Sequence, residues 1–350
     1  MDASADAQAS PFAELIDTLI KGWADLTASA PKGPGEAKAQ AAPQRAYLLL
    51  NRWEDNPLAR DLNARFPKWA RDRVTVPDSY FEHRPERAPC LLELPEELTD
   101  AALGIQTRPT RDWLAHCLMQ ASHQAKSRTS RHDFCGVVIG RATAQAIVQH
   151  WVGLGNQRPP YETDSVLFRY HDPRVMQRVW PTLSPLQQSR WLGPVSQWWS
   201  LLQPWGPFNA PSEPARWFHA KAPLLADDTP GEPPSDLLNP RQWLLSGISP
   251  QANHIWRDYA ESGIAPDAQP DARVMVEMLV DAQRLGFDDL SQRDYVWTTW
   301  MHTPKEGPAR AMDWSLPHLA PILGRIEAQL RERPGDRFST LLNQIIQSQR

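Results

Sequence analysis

The sequence predicts an α+β chain. An α/β N-terminal lobe, with strands and helices alternating around a small and mostly parallel sheet, precedes an all-helical C-terminal lobe. Three observations lead there. Short apolar runs rich in β-formers alternate with helical patterns between residues 45 and 203. The runs Val137-Val138-Ile139 and Val166-Leu167-Phe168 are almost continuously apolar, as strands buried on both faces are. Beyond residue 250 the apolar positions recur at spacings of three and four, the helical period. A length of 350 residues is enough for two cores, one per lobe.

Taken in order, residues 1–44 divide into a short helix and a linker. Phe12, Leu15, Ile16, Leu19, Ile20 and Trp23 give residues 11–29 one apolar face, and residues 30–44, rich in Pro, Ala, Gly and Lys, read as flexible chain. The α/β lobe, residues 45–203, opens with a strand at Ala46 to Leu50, a helix at Pro57 to Phe66 and a strand at Cys90 to Leu94. A helix at Thr110 to Gln124, a strand at Gly136 to Ile139, a helix at Ala142 to Val152 and a strand at Val166 to Tyr170 follow. Strands that alternate with helices argue for a parallel sheet. At the end of the last strand Asp172 offers a carboxylate to the free N–H groups of a first helical turn. Pro173 suits the first helical position, where a missing N–H costs nothing, and Val175, Met176 and Val179 supply the packed face.

Residues 204–250 hold ten prolines and little periodicity, so they read as an irregular connector. The C-terminal lobe, residues 251–350, is a series of helices. Asp271 can cap one that runs through Val274, Met275, Met278, Leu279 and Leu285 and stops at Gly286. Ser291 and Asp294 read as a capping box opening a helix with Tyr295, Val296, Trp297, Trp300 and Met301, ended by Pro304. His318 to Arg333 and Phe338 to Ile346 repeat the helical spacing.

Composition excludes several classes. The net charge of −4 carries no electrostatic footprint for nucleic acid, and no apolar run is long enough to cross a bilayer. The start, Met-Asp-Ala-Ser-Ala-Asp, lacks the basic and apolar regions of a secretory signal, so a cytoplasmic protein is expected. Cys90, Cys117 and Cys135 are odd in number and irregular in spacing, as reduced core thiols are. Six of the sixteen tryptophans (Trp180, Trp191, Trp198, Trp199, Trp205 and Trp217) fall in one 38-residue stretch. Most are expected in the core and one or two at an interface, since tryptophan serves both places.

Candidate chemistry is thin, and no catalytic, metal or cofactor residue is expected. His116 and His123 are seven residues apart on one helix, about 10.5 Å along its axis, too far to share an ion, and Cys117 beside them reads as core. Gly153-Leu-Gly155 follows a helix, whereas a phosphate-binding loop precedes one, so it reads as a helix stop. The segment Arg169-Tyr170-His171-Asp172-Pro173-Arg174 leaves three readings open: a structural cap, a catalytic carboxylate, or a contact with a partner.

The longer pattern resembles the type VI secretion effector adaptor (chaperone) family. The matching pieces are Leu167 to Val175, then Leu183-Ser184-Pro185-Leu186-Gln187-Gln188, then Leu192-Gly193-Pro194-Val195 with Trp198. Ala46 to Asn51, Asn56 to Phe66 and Ala88-Pro89-Cys90-Leu91-Leu92 resemble its opening elements. Two positions depart from the family pattern: His171 intervenes between Tyr170 and Asp172, and Ser184 stands where Thr is common. The resemblance covers roughly residues 45–200 and implies a non-catalytic adaptor that loads a secreted effector onto a valine–glycine repeat spike protein. Nucleic acid and membrane are not among the implied partners, and no cofactor is implied. Arg169, Asp172, Pro173, Arg174, Gly193, Pro194 and Trp198 match the family pattern one by one, in structural or partner-binding roles. An α/β hydrolase with its site at the carboxyl ends of the strands is the competing reading.

Overall fold

The computed structural model describes residues 12–28, 43–99, 104–127, 131–160, 162–203, 215–223, 233–261, 272–301 and 314–348. The chain divides into two units. The first gathers residues 1–126, 130–204 and 212–239, and the second holds 240–350 with two short pieces of the earlier chain.

The first unit is built on six strands: β1 (Arg45–Leu50), β2 (Val74–Thr75), β3 (Cys90–Glu93), β4 (Phe134–Gly140), β7 (Val195–Leu201) and β8 (Trp217–Lys221). They lie in the order β2-β3-β1-β4-β7-β8, and every neighbouring pair is antiparallel. The mostly parallel sheet expected from the sequence is therefore wrong. The run Val137-Val138-Ile139 does mark burial on both faces, but helices cover an antiparallel sheet here and leave the same signature; Val166 of the second run is exposed. The alternation is also real. Its helices mostly cross over a strand: two short ones (Pro57–Arg65 and Pro67–Arg71) link β1 to β2 across β3, and α4 (Gly104–Ser127) links β3 to β4 across β1.

One face of the sheet carries Leu48, Leu50, Leu92, Val137, Ile139, Trp199 and Leu201. It packs against α1 (Ala13–Ala28), α2 (Pro57–Arg65), α3 (Pro67–Arg71) and α4. Helix α1 is amphipathic as expected: Ile16, Leu19 and Trp23 are buried, and the Trp23 indole donates to the Gln44 carbonyl at 3.0 Å. The Trp217 indole donates to the Leu15 carbonyl at 2.8 Å and ties α1 to the edge strand. The opposite face carries Tyr47, Val138 and Trp198 and meets α5 (Ala144–Gly155), α6 (Pro173–Val179) and α7 (Pro185–Leu192).

Val166 to Tyr170 forms no strand of this sheet. Only β6 (Val166–Leu167) is extended, paired with β5 (Asn156–Gln157) in a separate ribbon, and the chain then turns through Phe168 to His171. Four strands escaped sequence reasoning, the two-residue β2 and β5 and the longer β7 and β8. β7 follows Gly193-Pro194 directly, and β8 lies in the proline-rich stretch 204–250, where Trp217 to Lys221 is a proline-free window. The same stretch holds α8 (Pro240–Gly247), with Pro240 at its start.

In the second unit every element among the described residues is helical: α8, α9 (Ser249–Glu261), α10 (Ala272–Arg284), α11 (Asp289–Met301), α12 (Ala320–Glu332) and α13 (Phe338–Ser348). Asp271 and Pro304, expected at helix ends, lie outside the described residues. The expected capping box at Ser291 and Asp294 is not formed. Asp288 accepts from the Ser291 N–H at 2.7 Å instead, and Asp294 accepts from the Ser339 N–H at the start of α13. Both acids serve helix starts, and the cap of α11 is Asp288, so the helix begins three residues earlier than the sequence implied.

Candidate functional site

The residues of the motif meet at one end of the two central strands. Asn51 ends β1, and His132 and Asp133 precede β4. The Asn51 amide donates to the His132 carbonyl at 2.9 Å, and its Oδ1 accepts from His171 Nε2 at 3.0 Å. The turn after β6 is thus clasped to the sheet through one side chain. Asp133 is held in turn by Arg131 at 2.7 Å and by the Gln124 side chain of α4.

Asp172 does what its position promised. Oδ1 accepts from the Arg174 N–H at 3.0 Å, and Pro173 occupies the first turn of α6. The same carboxylate also binds the Arg174 guanidinium, with Nε 2.9 Å from Oδ1 and Nη2 2.6 Å from Oδ2. The pair is largely buried, with side-chain exposures of 7% for Asp172 and 14% for Arg174. Burial works to raise the Asp172 carboxyl. The Arg174 charge and hydrogen bonds, helped by His132 and Arg169, overcome that and hold it far below the usual carboxylate range.

The histidines around it are neutral. Burial lowers His132 and His171 to about 3 each, with the cationic Arg174 and Arg169 respectively adding to the effect. Neither His132 Nε2 nor His171 Nδ1 has a hydrogen-bond partner among the described residues. Burial and the Arg174 charge lower Arg178 to about 10, so it stays cationic at neutral pH. Gln177 completes the network: it donates to Ser200 Oγ and the Leu201 carbonyl and accepts from the Gln203 N–H, which locks α6 onto β7.

The seven motif residues divide by exposure. Trp198 is fully buried, its indole 3.3 Å from the Cys135 carbonyl and its ring centroid 5.4 Å from that of Trp151. Pro173 is buried, and Arg174 spends its guanidinium on Asp172. Gly193 ends α7 at φ +57° and ψ −120°, where a Cβ would run into the His150 ring. Pro194 is half-buried and leads into β7. Arg169 alone among the seven is exposed, on the turn between β6 and α6. A partner that touches the motif meets Arg169 first, not Trp198 or Arg174.

Sequence reasoning missed Asn51, His132, Asp133, Gln177 and Gln203, which complete the network. The one signal available was position, polar residues next to apolar strand runs, and that is common at strand ends.

Burial raises the Cys90 thiol to about 12 and places Cys117 and Cys135 well above the ordinary thiol value, and all three are free. Among the described residues no group of three or more His, Cys, Asp or Glu stands where it could hold a metal. On α4 His123 is exposed while Cys117 points into the core, so that cluster does not converge. Gly153 and Gly155 lie inside α5 as close-packing points against Pro233 and Asp78, not at a phosphate. Of the six clustered tryptophans, Trp180, Trp191, Trp198 and Trp199 are buried, Trp217 is half-buried, and Trp205 lies outside the described residues. No helix among the described residues is long and apolar enough to cross a membrane.

The first unit is thus a helix-covered antiparallel sheet closed at one end by a buried polar clasp. A family model described as a domain of unknown function (DUF4123) matches residues 46–190, from β1 into α7. The match includes Arg169, Asp172, Pro173 and Arg174 and stops short of Gly193, Pro194 and Trp198. Comparison with curated proteins gives no match, and neither does comparison with solved structures.

Proposed function

We propose that this chain is a non-catalytic adaptor of type VI secretion, which binds a secreted effector in the cytoplasm and loads it onto the valine–glycine repeat spike protein. The observation that carries the reading is the coincidence of two things. The family-model match falls on residues 46–190, and the segment Leu167 to Val175 that resembles the adaptor family forms the clasp within it. The clasp stabilises a binding scaffold, with Arg169 left on its surface. Neither nucleic acid nor membrane is a partner in this reading.

The antiparallel sheet favours the adaptor over the hydrolase alternative. The hydrolase site would lie beyond the carboxyl ends of parallel strands, but neighbouring antiparallel strands send those ends to opposite sides of the sheet. Buried thiols with raised pKa values are also poor nucleophiles.

The test is delivery. Deleting the coding sequence should stop the export of one effector while spike and sheath still assemble, and the intact chain should restore export. Unchanged export of every effector would sink the proposal.

A further inference from the structure

A cleft of about 270 Å³ opens on the second unit between α9, α11 and the start of α13. Its apolar side is Ile255, Leu290 and Trp297. Leu290 is 46% exposed, a large apolar side chain left at the mouth. The volume lies below the ~300–1,000 Å³ usual for small-molecule sites, and it suits one bulky side chain of the kind that anchors an interface.

The charges around the cleft are unevenly used. Asp258 is bound by Arg293 at 2.7 Å and by Arg257 at 3.3 Å, and Asp294 accepts from the Ser339 N–H at 2.6 Å. Both carboxylates lining the cleft are therefore engaged. Of the two arginines, Arg293 is spent on Asp258, whereas exposed Arg337 has no ion-pair partner among the described residues. An unused cation beside an apolar hollow calls for an acid next to an apolar side chain.

We propose that this cleft seats a segment of a partner protein in which one bulky apolar side chain stands beside Asp or Glu. The apolar side chain packs on Ile255, Leu290 and Trp297, and the carboxylate meets Arg337. Only the identity of the partner, a secreted effector, rests on the adaptor reading. The interaction would depend on one anchor and its neighbouring charge, not on a large flat area.

The probe is a random peptide library displayed on phage and selected against the full chain. Two variants accompany it, Leu290→Asp and Arg337→Glu. Both put an acid near a helix start, where the helix dipole favours it, so folding should be kept, and thermal melting checks that. The expected result is a consensus with one bulky apolar residue beside an acid. Each variant should weaken the selected peptide by about tenfold or more, a loss of ~1.4 kcal/mol. A consensus without an acid, or equal binding to the variants, overturns the proposal. So does a dimer of the chain that Leu290→Asp dissolves, since a second copy would then be the occupant. Two outcomes separate it from the adaptor reading. If an effector complex forms unchanged with both variants and the library yields no such consensus, the cleft fails and the adaptor stands. If the peptides bind as expected but neither effector nor spike associates, the cleft stands and the adaptor fails.

Discussion

Asp172 combines a helix cap and a buried ion pair in one carboxylate, and the two roles predict different costs. Loss of a cap alone costs about 0.5–2 kcal/mol. Removing one partner of a buried pair costs about 3–5 kcal/mol, because the other charge stays behind unpaired. Asp172→Ala should therefore fall in the higher range by chemical denaturation. An unchanged melting curve combined with lost effector binding would assign Asp172 to partner contact instead. Arg169→Ala should do the reverse: stability within about 0.5 kcal/mol of the parent, as for exposed positions, with weakened binding to effector or spike. The buried histidines set a pH dependence. Both have a folded pKa of about 3, below the unfolded value of 6.5, so the unfolded chain binds more protons between those limits. Their contribution is full above pH 6.5 and is lost as pH falls towards 3, by up to about 1.4 kcal/mol per pH unit for each histidine. Denaturation at pH 7.5 and 5.5 reads this slope, and His171→Gln should reduce it. An equal slope in that variant would show that His171 already carries its proton in the folded state.

Among the elements, the turn from α7 into β7 is the most constrained. Gly193 sits at φ +57°, and any Cβ there meets the His150 ring, which donates to the Arg190 carbonyl at 2.8 Å. Gly193→Ala should cost about 1–3 kcal/mol from backbone strain alone. The clash adds to that, and His150→Ala should relieve the added part in a double-mutant cycle. Additive effects of the two substitutions would mean that the ring is not what crowds the site. This turn also illustrates what could be read in advance. Local chemistry was legible: Asp172-Pro173 as a helix start, and the apolar faces of α1 and α13. Strand direction was not, because an apolar run records burial and not the orientation of its neighbour. β7 was hidden because Trp198 and Trp199 were read as members of an aromatic cluster, whereas they point to opposite faces of one strand. β8 was hidden by its proline-rich surroundings. Of the clasp, the Asp172 end was legible and the Asn51 and His132 end was not, since those residues lie 120 and 39 positions from His171 in sequence and meet it only through the β1–β4 pairing.

At the scale of the molecule, the first unit reaches well beyond the motif-bearing stretch 45–203. The core takes Ile16, Leu19 and Trp23 from α1, and the sheet takes its edge strand from residues 217–221. Gln157 holds Pro234 and Leu237 through hydrogen bonds of 3.1 and 3.0 Å. A fragment of residues 1–239 should therefore unfold in one cooperative transition, whereas residues 45–203 should aggregate or melt broadly. A cooperative melt of residues 45–203 would mean that α1 and β8 are accessory. The central claim, that the chain works by holding an effector for the spike, is tested most directly by affinity purification of the tagged full chain from cells that express the effector and spike genes beside it. The account predicts a stoichiometric complex containing the effector, retained in Asp172→Asn if folding is kept and weakened in Arg169→Glu. A stable, partnerless chain that instead turns over a substrate would contradict it.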